Sequence, residues 1–132
     1  MQATFADCIS FRLLEIFGVL EAVNAVKDAE SVHYESLVSE YERLVQVICD
    51  DHISAAQSHI QNSTICSNLR LEIIAECKEI LDYRLAAERW HLEIDSRSKD
   101  RIVSFGEKLS CRFIAALLED RVWLPHPESI VS

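Results

Sequence analysis

The chain has 132 residues, of which 49% are hydrophobic and 27% charged, with a formal net charge of −9 and an isoelectric point near 4.9. That length suits one domain with a real core and is too apolar for a disordered chain. The acidic balance argues against nucleic acid or an anionic membrane surface as a partner.

Only two glycines and two prolines occur, and both prolines, Pro125 and Pro127, lie near the end. So few chain breakers predict long helices rather than a turn-rich β fold. No apolar run approaches 18 residues, so no membrane span is expected. The five cysteines, at positions 8, 49, 66, 77 and 111, are odd in number and lack CxxC spacing. They read as free thiols of a reducing compartment. With no cationic, apolar leader at the start, a cytoplasmic location follows as the expectation.

A first helix is predicted over about 4–27. Phe5, Cys8, Ile9, Phe11, Leu13, Leu14, Ile16, Phe17, Val19, Leu20, Val23 and Val26 cover most of its circumference. A helix apolar on most faces is either the central helix of a bundle or part of a homodimer interface. Ser31 is the expected N-cap of a second helix over about 34–61, with Leu37, Tyr41, Leu44, Val45, Ile48, Ala55 and Ile60 as its stripe. Glu35, Glu40, Glu42 and Arg43 mark its solvated side. Ser63 or Thr64 would cap a third helix over about 65–93, striped by Leu69, Ile73, Cys77, Ile80, Leu81, Ala87 and Trp90. A fourth helix runs from an Asp95 cap to Arg121, with Ile102, Phe105, Leu109, Phe113 and Leu117 in line. Gly106 lies inside it, where a glycine costs about 1 kcal/mol relative to alanine and points to close approach by a neighbour or ligand. Four long helices with short connections predict an all-α, mostly antiparallel four-helix bundle over residues 1–121. The tail, 122–132, is expected to be irregular, with Trp123 and Leu124 either folded onto the bundle or covering a pocket mouth.

The fourth helix carries a motif. Ser98-Lys99-Asp100-Arg101-Ile102-Val103-Ser104-Phe105-Gly106-Glu107-Lys108-Leu109-Ser110 resembles the SFGE(R/K)LS helix of aspartate kinases, fungal members above all. Asp95 departs from the serine that begins that pattern. Asp51-His52-Ile53-Ser54-Ala55-Ala56-Gln57 resembles a second segment of the same family. The family's Lys-Phe-Gly-Gly-Thr-Ser phosphate loop is not in this sequence, and neither its nucleotide-binding core nor its ACT domains follow the matched helix. The resemblance therefore implies the helical segment alone, without kinase activity and without ATP binding. It also implies that Glu107 would meet the amino group of an amino acid ligand.

Ser104, Lys108 and Arg112 share the surroundings of Glu107 and, with Trp123, are the candidate ligand-binding residues; the alternative for Glu107 is an exposed helix residue without a role. His52 and His59, seven apart on one helix face, are candidate acids or bases together with Glu107, since imidazole suits proton transfer near neutral pH; they could equally be histidines without a role. Zinc would prefer histidines four apart with a third ligand, so no metal is expected, and no cofactor motif is present. Cys49 and Cys77 read as small buried hydrophobes.

Two functions remain open. One is a repurposed small-molecule protein that binds a ligand or performs cofactor-free cyclisation or isomerisation in a biosynthetic pathway. The other is a non-catalytic module that pairs with itself or with a full-length aspartate kinase.

Overall fold

A computed structural model describes residues 5–26 and 31–123, with side chains from Phe11 to Val26 and from Ser31 to Val122. Four helices make up the described chain: α1 (Phe5–Ala25), α2 (Val32–His59), α3 (Ser63–Trp90) and α4 (Ser96–Trp123). The last three are 28 residues each, about 42 Å long at 1.5 Å per residue. Each helix packs on its neighbour in sequence, and α4 closes the ring against α1. The predicted all-α bundle is the observed architecture. Its first helix occupies one corner of four rather than a centre.

Local chemistry sets the helix boundaries. Ser31 caps α2, its Oγ accepting from the Tyr34 N–H at 3.0 Å. For α3 the cap is Asn62, not Ser63 or Thr64. The Asn62 side-chain oxygen accepts from Thr64 and Ile65 N–H at 2.9 and 3.1 Å, which leaves Ser63 as the first helical residue. Asp95 caps α4 through the N–H groups of Arg97 and Ser98. Ser98 answers by accepting the Asp95 N–H and the Tyr83 hydroxyl while donating to the Glu93 carbonyl. One buried serine thus pins the end of α3 to the start of α4.

The core runs along the bundle axis. Leu13, Ile16 and Leu20 of α1 meet Tyr41, Leu44 and Ile48 of α2, Leu69, Ile73 and Ile80 of α3, and Ile102, Phe105 and Leu109 of α4. Tyr41 is fully buried, and its hydroxyl donates to the Ile80 carbonyl at 2.6 Å. Burial pushes that phenol well above its usual range. Gly106 admits α1: a Cβ there would collide with the Leu13 methyl groups. The close approach that its mid-helix position suggested is therefore made by a core side chain.

Three expectations change. α1 buries Leu13, Ile16, Leu20 and Val23 but leaves Phe11 and Leu14 more than half exposed. Trp90, placed on the α3 stripe by its spacing, is 67% exposed at the helix end, with the Arg89 guanidinium over its ring. α4 continues to Trp123, two residues beyond the predicted end, and the tail at 124–132 lies outside the described residues.

Candidate functional site

The motif helix turns Ser104 and Lys108, one turn apart, toward α3. With Arg101, Phe105, Glu76 and Glu79 they line a concavity of about 270 Å³ between the two helices. Its apolar floor is Phe105 and Ile80, so the polar groups stand on a rigid, packed base. Arg112 lies one turn further along. Its Nε and Nη2 donate to Glu76 Oε1 at 3.1 and 2.9 Å, and Nη1 stands 3.5 Å from Glu72. The bond to Glu76 raises the Arg112 pKa. Glu76 is nearly buried, so the guanidinium compensates a carboxylate withdrawn from water.

Glu107 is exposed on α4 and is not part of the lining of that concavity. The histidines part company. Seven residues separate them by about 10.5 Å along the axis. His52 is buried in the core, with Nδ1 2.8 Å from the Ile48 carbonyl. That carbonyl can only accept, so Nδ1 carries the proton. Burial lowers the His52 pKa, partly opposed by the bond to Ile48, and Arg12 lowers it further. His59, the last residue of α2, is exposed beside Phe113, Leu117, Asp120 and Arg121. The structure thus brings Ser104 and Lys108 together, with Arg112 adjacent, and brings neither histidine to them. The side chain of Trp123 lies outside the described residues.

Cys49 of α2 and Cys77 of α3 are both buried, each close enough to influence the other's thiol. Burial pushes both thiols up, which makes them poor nucleophiles. Among the described residues no group of three or more histidine, cysteine or acidic side chains is arranged to hold a metal ion, and no helix is long and apolar enough to cross a membrane.

Sequence reasoning missed a larger concavity, of about 470 Å³, walled by α1, α2, α3 and the connection that follows α3. It contains Arg84, which is only 7% exposed. A signal was available: Ile73, Cys77, Ile80, Arg84 and Ala87 follow four-three-four-three spacing, so a cation occupies a core register of α3.

No family model and no solved structure matches the chain. Curated proteins do. Aspartate kinase FUB3 of Gibberella fujikuroi is 37% identical over 110 residues, 83% of this chain and 21% of that protein, and the Gibberella moniliformis enzyme matches to the same extent. A 110-residue match within 132 includes Ser98–Ser110 wherever it begins. The aspartokinase of Schizosaccharomyces pombe is 41% identical over 78 residues, 59% of this chain and 15% of that one. The chain spans about a fifth, or less, of the length of these relatives. By sequence it is aspartokinase-like, related over most of its length to one segment of fungal aspartate kinases.

Proposed function

We propose that this helical unit is a ligand-binding module of aspartokinase type that holds a charged small molecule between α3 and α4 and does not itself transfer phosphate. The observation that carries the reading is the mixed charge around the Ser104 concavity, where Arg101 and Lys108 share a lining with Glu76 and Glu79. A zwitterion finds complementary charge on such a rim. The relatives are named aspartate kinases, which makes L-aspartate the first probe. Lys108 and Arg101 would take its carboxylates and Glu79, on the facing wall, its ammonium group. Transfer of phosphate needs a cradle for the phosphates, a metal and positioned cations. The two glycines of the chain, Gly18 and Gly106, both lie inside helices, away from any loop that could wrap a phosphate. Where the module acts on its ligand, proton transfer by a carboxylate of that lining is the chemistry at hand, which fits cyclisation or isomerisation without a cofactor.

Titration of the isotope-labelled chain with L-aspartate, followed by NMR, tests the proposal. Shifts should centre on Ser104 and Lys108 and weaken in Glu79→Gln and Lys108→Met. Shifts confined to another surface would sink it. Magnesium-dependent ATP binding in calorimetry would overturn the second half.

A second reading is supported by Phe11 and Leu14, 65% and 52% exposed and three residues apart on α1. They form an apolar patch suited to self-association. Light scattering should then find a dimer that Phe11→Ser with Leu14→Ser dissociates, and a monomer at high concentration would dismiss it.

A further inference from the structure

The larger concavity shares no lining residue with the motif groove: it is a separate site, lined by Leu20 and Val23 of α1, Tyr34 of α2, and Arg84, Ala87 and Glu88 of α3. Its volume of about 470 Å³ falls within the range of small-molecule sites, typically ~300–1,000 Å³. Its walls are half aliphatic, through Leu20, Val23, Val26, Ala87, Leu92 and Ile94, and half polar or charged, a composition suited to an amphipathic ligand.

Two of those polar groups are hydrogen-bond donors, one of them without an acceptor. Arg84 is nine-tenths buried, and its Nη1 pairs with Glu88 Oε2 at 3.1 Å. That bond engages one N–H of the five a guanidinium carries. The Tyr34 hydroxyl oxygen is buried and makes no hydrogen bond to the described residues. Burial, then the nearby Glu88, raises the Tyr34 pKa, while Arg84 pulls it down, so the phenol remains a donor and stands close to both charges. Withdrawing a hydroxyl from water without a partner is unfavourable. A third group accepting from both would relieve it.

The other ionisable neighbours narrow the choice. Glu93 and His91 sit on the rim, and Glu88 already faces Arg84. A doubly charged anion such as phosphate would meet two carboxylates. A single carboxylate can bridge Arg84 and Tyr34 while its hydrocarbon body lies against Leu20, Val23 and Ala87.

We propose that this cavity binds a small monocarboxylate with an apolar body, its carboxylate held by Arg84 and Tyr34. The site is independent of the Ser104 groove, so failure of either leaves the other standing.

Hexanoate, hexanamide and hexylammonium make a matched set of probes, titrated separately into the whole chain and followed by NMR. Hexanoate should bind with a dissociation constant on the order of 1 mM, shifting Leu20, Val23 and Ala87. Tyr34→Phe, which keeps the ring, should weaken it several-fold and Arg84→Met by roughly tenfold, as expected for loss of a charge-assisted hydrogen bond. The melting temperature of each variant is read alongside, and Tyr34→Phe alone decides if Arg84→Met fails to fold. Equal binding of hexanamide, preference for hexylammonium, absence of binding, or indifference to Tyr34→Phe would each overturn the assignment.

Discussion

The carboxylate of Asp120, near the end of α4, accepts the backbone N–H of Asn62 at 2.8 Å, in the turn between α2 and α3. Its second oxygen accepts from Gln61 at 3.1 Å, and the residue is 2% exposed. One buried side chain thus satisfies two N–H groups that the turn leaves open, and it ties three helices together. Asp120→Ala should lower unfolding stability by about 2–4 kcal/mol, since it strands two donors that had a charged acceptor. Asp120→Asn retains one acceptor and should cost about half as much. Urea unfolding checks both, as a lower midpoint at unchanged slope.

Gly106 and Leu13 make a separable pair. Alanine at Gly106 gains about 1 kcal/mol of helix propensity. Against that, its Cβ meets the terminal carbons of Leu13, a buried side chain with little room to turn. Overpacking of this kind costs about 1–3 kcal/mol, so Gly106→Ala should be net destabilising by roughly 1 kcal/mol. With Leu13 shortened to alanine, the same change should turn stabilising by about 1 kcal/mol. A double-mutant cycle in urea reads the coupling, and strict additivity would show that the contact is not what selects glycine.

Much of this fold is legible in the sequence because it is local. Ser31 and Asp95 announce their helices, and Ile102, Phe105 and Leu109 lie where the apolar stripe puts them. The stripe then drifts. Extending it by steps of four, through Phe113 to Leu117, rotates about 40° per step, and those two residues end only partly buried. Ala116 and Asp120 hold the core side instead. The candidate site is legible only in part for a related reason. Ser104 and Lys108 share a face by spacing alone, whereas Glu76 and Glu79 join them through the packing of α3 on α4. Arg84 shows the same limit, since a cation in a core register signals burial without naming Tyr34 as its neighbour.

His91 ends α3 with φ 51° and ψ 44°, a left-handed conformation that few side chains adopt without strain. It completes the helix end, where the Leu92 N–H reaches the Ala87 carbonyl at 3.0 Å. Glycine takes this conformation freely, and left-handed backbone costs an L-residue about 1–2 kcal/mol. Glycine also enlarges the entropy of the unfolded chain, by roughly 0.4–1 kcal/mol. His91→Gly should therefore raise stability by about 0.5–1 kcal/mol, and His91→Val should lower it. Thermal unfolding of the two variants decides the sign.

His52 links stability to pH. Its folded pKa lies below the ordinary 6.5 because burial disfavours the imidazolium, with Arg12 adding to the effect and the Ile48 carbonyl opposing it. Between the folded and unfolded pKa values the unfolded chain binds more protons. Unfolding free energy therefore rises with pH across that window. The His52 contribution is fully present above about pH 6.5 and is lost as the pH falls toward the depressed folded value. Replacing His52 by glutamine, which titrates nowhere, should flatten this part of the profile. Urea midpoints for both chains from about pH 7.5 down to about pH 5.5, above the main carboxylate range, provide the comparison. The parent should lose more stability than His52→Gln over that interval, and parallel profiles would show that the imidazole stays equally protonated in both states.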